Sequence, residues 1–327
     1  MDGTATEALP GLADVRAAEA RLDGHVLHTP LQASRWLEQH TGTPVLLKLE
    51  CRQHTGSFKV RGALNAVALL SPGARARGLV TASAGNHGQA VALAARQHGA
   101  RAVVYVPADA PDTKKDRIRG LGAELREEAS DYDEAEVLAR ECAARDGLAL
   151  VHAFSDPAVI AGQGTVALEL LDDIRALGIT DVIVPVGGGG LATGVGAVLK
   201  ALVPGITITG VQSTETRAMY EAFRAGRAVD VPVPPTLADG LAGCTDEATY
   251  RRARQVVDDI VLVSESAIAD AISELHGQDG ITAEGAGAVA VAALAGGHVQ
   301  PRGGCIAIVS GGNIDGRRLA GILGRVE

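Results

Sequence analysis

Segments typical of β-strands alternate with segments typical of helices along most of the chain, and this alternation restricts the fold more than any other feature. Short apolar runs predict strands at residues 45–49, 79–82, 102–106, 148–151, 181–186, 206–211 and 306–309. Amphipathic or alanine-rich segments predict helices at residues 57–70, 88–98, 114–121, 131–145, 192–202 and from 317 onward. Such alternation indicates an α/β protein with a parallel sheet and helices on both faces.

The composition fits this fold and excludes several classes of partner. Hydrophobic residues make up 46% of the 327 residues but aromatic residues only 2%, so the core must consist of Ala, Val, Leu and Ile. The net charge is −9 and the sequence has no basic patch, so we expect no nucleic-acid partner. No apolar run reaches the roughly 18–20 residues of a membrane span, so we expect no membrane association.

The N-terminal segment and the cysteines indicate a cytoplasmic protein. Residues 1–10 include Asp2 and Glu7 but no basic residue, so they do not read as a signal peptide. The cysteines are scattered and form no CxxC pair, which predicts reduced thiols at Cys51, Cys142, Cys244 and Cys305.

Three loops each follow an apolar strand and precede a helix, at residues 81–87, 185–190 and 310–313. In open α/β sheets, ligands bind beyond the carboxyl ends of the strands. We therefore expect all three loops to open on one side of the sheet and to form a binding site there.

The second loop contains four consecutive glycines, Gly187, Gly188, Gly189 and Gly190. Their N–H groups can surround an anion, because no Cβ blocks its approach and the following helix N-terminus adds positive potential. A tight turn without a ligand is the competing interpretation. We predict a phosphate as the ligand.

The type of phosphate follows from what the neighbouring sequence lacks. Gly187, Gly189 and Ala192 match the dinucleotide pattern G-x-G-x-x-A, but Gln212 stands where an acidic residue is needed to bind the ribose. No Gly-Lys-Ser/Thr follows the glycines, so the loop is not a P-loop. A single phosphate monoester is the better prediction.

Lys59 is the strongest candidate for a reactive amine among the five lysines. It lies at the start of a predicted helix, where a cation is unfavourable and where the positive helix end lowers the pKa of the amine. Lys114 and Lys115 are expected in a solvated helix, Lys48 at a strand edge, and Lys200 at a helix end that favours cations. An exposed helix lysine is the alternative interpretation of Lys59.

Eight motifs in this order resemble the β-family, or fold type II, of enzymes dependent on pyridoxal phosphate (PLP), in its threonine/serine dehydratase branch. They occupy residues 48–50, 55–63, 83–87, 160–165, 186–191, 236–240, 284–288 and 310–313. The resemblance implies two open, mostly parallel twisted sheets with helices on both faces, as in the tryptophan synthase β subunit. It also implies a large PLP-binding domain (1–52 plus 153–327) and a small mobile α/β domain (53–152).

The resemblance implies a role for each matching residue. Lys59 would be the catalytic residue, holding PLP as a Schiff base and acting as a base when freed. The other cofactor-binding residues would be Phe58, Asn86, Gly187, Gly188, Gly189, Gly190, Leu191 and Ser310. The residues that bind the substrate would be Ser83, Ala84, Gly85, Asn86 and His87.

Three departures from relatives separate the possible activities. Serine racemase, a close relative, has a serine at the position of Ala84 as its second base, so we expect dehydration to dominate over racemisation. Threonine synthase usually has an aspartate where Val60 stands. Gln212 replaces a glutamate that binds a divalent cation in several relatives, and Glu215 is out of register, so we predict no metal site.

The favoured function is a PLP-dependent dehydratase, or ammonia-lyase, that converts L-threonine or L-serine to a 2-oxo acid and ammonia. Alternatives are a dehydratase for 3-hydroxyaspartate, phenylserine or a hydroxyectoine-derived compound, a serine racemase, and a non-catalytic protein that binds PLP or an amino acid. A nicotinamide-dependent oxidoreductase is disfavoured by Gln212. Relatives suggest a homodimer or tetramer.

Overall fold

The computed structural model describes residues 8–243 and 245–324, so the predictions for residues 1–7 and for Cys244 lie outside the described residues. In this part of the chain the strands are β1 (Leu31–Ala33), β2 (Val45–Lys48), β3 (Leu79–Ala82), β4 (Ala102–Pro107), β5 (Glu124–Ala129), β6 (Ala149–Leu150), β7 (Ile179–Pro185), β8 (Thr207–Ser213), β9 (Asp259–Val263) and β10 (Gly304–Ile308).

The helices surround these strands. They are α1 (Leu12–Leu22), α2 (Arg35–Thr41), α3 (Lys59–Leu69), α4 (Pro72–Arg77), α5 (Asn86–Gln97), α6 (Asp112–Gly120), α7 (Tyr132–Asp146), α8 (Pro157–Leu168), α9 (Leu171–Leu177), α10 (Gly190–Leu202), α11 (Ala218–Ala225), α12 (Glu247–Val256), α13 (Glu265–Asp279), α14 (Gly285–Ala295) and α15 (Gly316–Leu323). Short 3₁₀ turns occur at Glu50–Arg52, His54–Gly56 and Asp239–Leu241.

The strands form two sheets, which confirms the predicted fold class. The larger sheet has six strands in the order β1-β2-β10-β7-β8-β9, and the smaller has four in the order β5-β4-β3-β6. All pairs are parallel except β1 with β2. All strands of the smaller sheet lie between residues 79 and 150, within the predicted small domain, and the exact division into domains stays a prediction.

The three ligand-binding loops do not belong to one sheet, which corrects the expectation that they open along a single edge. The loop at 81–87 follows β3 of the smaller sheet, whereas the loops at 185–190 and 310–313 follow β7 and β10 of the larger one. The alternation of strands and helices gives no indication of which strands pair, so only the resemblance predicted two sheets.

Every predicted strand and helix is present within a few residues, but several elements have no counterpart in the prediction. The strand β5 carries four charged residues in six, and of its six residues only Ala129 is buried. It is an edge strand, where charged side chains protect the open backbone groups, so the apolar run that predicts a buried strand is missing.

Helices α3, α8 and α10 pack against one another with glycines at their contacts. A methyl group on Gly162 of α8 would lie 2.6 Å from the carbonyl oxygen of Arg61 in α3. A methyl group on Gly194 of α10 would lie 2.5 Å from the carbonyl oxygen of Ile160 in α8. Real Cβ atoms do not approach oxygen this closely, so the backbones are in direct contact without intervening side chains.

Two further expectations concern the described part of the chain. No helix within it is both long enough and apolar enough to cross a membrane. The thiols of Cys51, Cys142 and Cys305 form no disulfide bond within it.

Candidate active site

A cavity of about 260 Å³ lies where the carboxyl ends of β3, β7 and β10 meet. Its walls contain every residue that the sequence singled out for a site. These are Phe58, Lys59, Ser83, Ala84, Gly85, Asn86, His87, Gly187, Gly188, Gly189, Gly190, Leu191 and Ser310. The fold therefore brings together residues that are up to 252 positions apart, from Phe58 to Ser310.

Lys59 is the first residue of α3, and its side chain is half-buried in the cavity wall. Its Nζ atom donates a hydrogen bond to the carbonyl oxygen of Ala153 (3.1 Å) and lies 5.2 Å from the centre of the Phe58 ring. Burial lowers the pKa of the Lys59 amine to about 8, and the negative charge of Glu284 partly opposes this effect. A larger fraction of this amine is therefore neutral near pH 7 than on a solvated lysine.

The glycine run presents unpaired donors to the cavity. Within the described residues, the N–H groups from Gly187 to Leu191 have no hydrogen-bond acceptor, and the first paired amide is that of Thr193. Gly189 has a left-handed φ of +88°, which places the turn directly before α10. A loop of free N–H groups at a helix N-terminus is suited to bind a phosphate.

Phe154 explains why side chains are excluded from this loop. A methyl group on Gly188 would overlap the Phe154 ring, and one on Gly190 would lie 3.0 Å from the Phe154 carbonyl oxygen. Gly188 and Gly190 are thus required for contact with Phe154 as well as for access to a ligand.

The loop after β3 forms a second group of donors at the N-terminus of α5. Gly85 donates its N–H to the Ser83 hydroxyl (3.1 Å), whereas the N–H groups of Ala84, Asn86 and His87 have no acceptor among the described residues. A carboxylate fits this position because it can accept from several backbone N–H groups and is favoured by the helix dipole.

His87 lies behind this loop as a buried, neutral side chain. Its Nε2 atom lies 2.9 Å from the Val151 carbonyl oxygen, and burial lowers the pKa of the imidazole to about 3. The carbonyl can only accept, so Nε2 carries the hydrogen and Nδ1 presents a lone pair that has no partner among the described residues.

Asn86 and Glu284 are joined by a partly buried hydrogen bond. The Asn86 Nδ2 atom donates to Glu284 Oε1 at 2.6 Å. Burial raises the pKa of the Glu284 carboxyl to about 7, although the hydrogen bond from Asn86 opposes this shift. No definite role for Glu284 could be predicted from the sequence, because its hydrogen bond joins it to a residue 198 positions away.

Ser310 connects the larger sheet to the segment that carries Lys59. Its side chain is buried, with Oγ 3.4 Å from the Ala286 carbonyl oxygen, and its own carbonyl accepts the N–H of Phe58 at 3.2 Å. The hydroxyl is neutral, so it can face a ring nitrogen without imposing a charge on it.

A buried ionic cluster supports the first turn of α3. Arg61 donates to both oxygens of Glu50 (2.9 and 2.8 Å) and to Glu169 (2.6 Å). Lys48 donates to the other Glu169 oxygen at 2.5 Å. Arg61, Glu50 and Lys48 are fully buried. Lys48 is therefore not the strand-edge charge that the sequence predicted, because β1 and β10 flank β2 on both sides.

The other lysines partly differ from expectation. Lys115 is buried rather than solvated, because it donates to the Ala108 carbonyl oxygen (2.6 Å) under the start of α6. Lys114 is half-buried at the cavity, where it forms an ion pair with Asp239 (2.6 Å). Lys200 pairs with Asp258 near the end of α10, as expected for a helix C-terminus.

Sequence reasoning missed several residues that line the cavity without belonging to an assigned role: Phe154, Tyr132, Lys114 and Asp239. Asp239 lies in one of the eight motifs, and Phe154 is one of only three phenylalanines, which are the signals that could have identified them. In the described part of the chain, no group of three or more His, Cys, Asp or Glu side chains could hold a metal ion.

Comparisons with known proteins agree with this arrangement. Residues 22–311 match the family described as pyridoxal-phosphate dependent enzyme. The chain is 44% identical over 308 residues to a putative threonine dehydratase of Sinorhizobium fredii, covering 93% of this chain and 92% of that protein. It is 44% identical over 306 residues to the L-threonine ammonia-lyase of Thermotoga maritima, covering 93% and 76%.

The fold likewise has a close structural counterpart. Maize serine racemase superposes with a TM-score of 0.91 at 32% sequence identity, covering 98% of each chain. The match spans both sheets and the cavity between them. The chain therefore belongs to the pyridoxal-phosphate dependent enzymes, in the threonine/serine dehydratase branch of fold type II.

Proposed function

We propose that this protein is a PLP-dependent dehydratase that converts L-threonine or L-serine to a 2-oxo acid and ammonia. One observation carries the proposal: a buried amine of lowered pKa, Lys59, lines the same cavity as a loop of free N–H groups. The names of the relatives from Sinorhizobium and Thermotoga support threonine as the first substrate to test.

The residues of the cavity fit the cofactor. The free N–H groups of the glycine run and Leu191 would hold its phosphate, and the amine of Lys59 would hold its aldehyde carbon. Phe58 would flank the ring, Asn86 would donate to the ring oxygen, and Ser310 would face the ring nitrogen. When bound, pyridoxal phosphate supplies an electron sink for the electron pair that proton loss leaves at the substrate Cα.

The free N–H groups at the start of α5 would orient the substrate. They would donate hydrogen bonds to the substrate carboxylate and so fix the position of Cα in the cavity. Lys59 would then remove the Cα proton. Burial lowers the pKa of its amine to about 8, so the amine can both take up and release a proton near neutral pH.

The neutral hydroxyl of Ser310 would suit elimination better than a carboxylate would. A serine does not stabilise a proton on the ring nitrogen, so the ring would withdraw less negative charge from Cα. That suits elimination, in which the charge at Cα is lost quickly because it expels the β-hydroxyl. The β-hydroxyl would leave with a proton as water, and the resulting enamine would hydrolyse to a 2-oxo acid and ammonia. The atoms balance with water as the only co-reactant.

The test is the formation of 2-oxo acid and ammonia by the purified holoenzyme from a panel of β-hydroxy amino acids. We expect equal amounts of both products from L-threonine or L-serine, and none with Lys59→Ala. Lys200→Ala is the matched control and should retain activity, because Lys200 pairs with Asp258 far along α10. Full activity of Lys59→Ala, or no product from any member of the panel, would overturn the proposal.

Serine racemase is the second candidate, favoured by the likeness to the maize enzyme. Its reaction needs a second base on the opposite face of Cα. Ala84 lines the cavity at the position where that branch has a serine, and a methyl group cannot accept a proton. We therefore propose that elimination dominates.

Two finer expectations remain predictions. A cytoplasmic location rests on the N-terminal segment and the scattered cysteines, and assembly into a homodimer or tetramer rests on the resemblance to relatives. The panel above also distinguishes the alternatives of 3-hydroxyaspartate, phenylserine and a hydroxyectoine-derived substrate.

A further inference from the structure

The side-chain amide of Asn86 is held from both of its ends. Its Nδ2 atom donates to Glu284 Oε1 at 2.6 Å, and its Oδ1 atom accepts from Asn313 Nδ2 at 2.6 Å. Turning the amide over would place the Asn86 NH₂ group against the NH₂ group of Asn313, and the Asn86 oxygen against a carboxyl oxygen. The two partners therefore permit one orientation.

The orientation of Asn313 is itself fixed by groups that have only one hydrogen-bonding role. Its Oδ1 atom accepts from Arg117 Nη1 (2.9 Å), and a guanidinium can only donate. Its Nδ2 atom also donates to the carbonyl oxygen of Thr55 (2.6 Å), which can only accept. Arg117 and Thr55 thus fix which end of the Asn313 amide is nitrogen, and Asn313 in turn fixes the orientation of the Asn86 amide.

The backbone around Asn313 is shaped to keep this amide in place. Thr55 has a left-handed φ of +59°, which is rare for a β-branched residue, and its carbonyl oxygen meets Asn313. A methyl group on Gly56 would lie 2.7 Å from Asn313 Oδ1. Gly312 donates its N–H to the Gly56 carbonyl at 2.9 Å, which ties the two turns together.

We propose that Asn313 and Glu284 are positioning residues that fix the Asn86 amide so that its free N–H, and not its carbonyl oxygen, faces the ring oxygen of bound pyridoxal phosphate. The inference rests on the proposed function, because it assigns Asn86 to the ring oxygen. An N–H donor stabilises the ionised form of that oxygen, whereas a carbonyl would oppose it. Asn313 and Glu284 would therefore influence the ionisation of the cofactor ring through Asn86, without contacting the ring themselves.

The test is a pH titration of the visible absorption band of the holoenzyme, together with the Kd for pyridoxal phosphate. Asn313→Leu removes the donor to Asn86 without adding a charge. A hydrogen bond to a charged acceptor corresponds to a shift of about one to two pH units, so we expect the titration midpoint to rise by that amount and the cofactor to bind more weakly.

A double-mutant comparison separates orientation from general damage to the fold. In an Asn86→Ala background, Asn313→Leu should cause no further shift of the midpoint, because the amide that it orients is gone. A purely structural role would produce the same shift in both backgrounds and would overturn the proposal, as would an unchanged midpoint in Asn313→Leu alone.

Two further variants complete the test. Asn313→Ala removes the same donor to Asn86 with less steric demand and provides the readout if Asn313→Leu does not fold; its midpoint should also rise, and no rise would contradict the proposal. Arg117→Met should shift the midpoint less than Asn313→Leu, because Thr55 still fixes Asn313, and a larger shift would contradict the assignment. Failure of the proposed function would appear differently, as wild-type protein that binds no cofactor or forms no 2-oxo acid.

Discussion

Replacing Arg61 by methionine should destabilise the protein strongly, although Arg61 does not line the active-site cavity. The change removes the guanidinium but keeps a side chain of comparable length. Glu50 would lose both of its bonds from Arg61 and keep only the one from the Thr29 hydroxyl (2.6 Å), whereas Glu169 would keep Lys48. The damage should therefore concentrate on the buried carboxylate of Glu50.

The expected magnitude follows from this burial. Removing one partner of a buried ion pair typically costs about 3–5 kcal/mol, because the remaining charge has neither water nor a counter-ion. The pair between Arg101 and Glu124 provides a control at the surface, where both side chains are more than a third exposed. For such pairs the loss is roughly 0.2–1 kcal/mol, so Arg101→Met should change the free energy of unfolding far less.

The assay is equilibrium unfolding in urea, followed by far-ultraviolet circular dichroism at one fixed concentration of cofactor. In the double variant Arg61→Met/Glu50→Gln the orphaned charge is removed, so most of the lost free energy should return. If Arg61→Met lost no more than Arg101→Met, or if Glu50→Gln failed to rescue it, the argument from an uncompensated buried carboxylate would be wrong.

Three further predictions concern the active-site cavity. Apoprotein should bind pyridoxal phosphate covalently at a rate that rises with pH through a midpoint near pH 8 and then levels off, because only the neutral Lys59 amine reacts and burial lowers its pKa to about 8; a rate still rising above about pH 10, as for an ordinary lysine, would contradict this. Ala84→Ser should form D-serine from L-serine, measured by chiral chromatography, and no D-serine would mean that a hydroxyl at this position is not sufficient. Asp239→Asn should release Lys114 and raise the ratio of kcat/KM for 3-hydroxyaspartate over L-threonine by about two- to fivefold, and an unchanged ratio would show that the ion pair does not select against acidic substrates.

The sequence was sufficient for the features that depend on local pattern. The strand-to-helix loops at Ser83 and Gly187 were predictable because an apolar run, a glycine-rich turn and a helix follow one another directly. Lys59 could be singled out from five lysines because the start of a helix is an unfavourable place for a cation. These arguments need only neighbouring residues.

The features that the sequence could not supply depend on contacts between distant segments. Lys115 reads as solvated in a charged helix, yet α6 lies so that its amine reaches the Ala108 carbonyl oxygen. Asn313 was recognisable within a motif, but its bonds to Thr55 and Asn86 cross 258 and 227 residues. Strand pairing and the meeting of two sheets at one cavity are likewise not encoded in any local pattern.

The bare contact between α3, α8 and α10 has a practical consequence for redesigning this enzyme. The middle helix works as a spacer of fixed thickness, with Lys59 at the start of one neighbour and the glycine run before the other. A single added methyl at Gly162 or Gly194 would increase the distance between Lys59 and the glycine run, although neither glycine lines the active-site cavity. Libraries that aim at new substrates should therefore vary cavity residues such as Tyr132 and Asp239 and keep the glycines at the contacts of α3, α8 and α10.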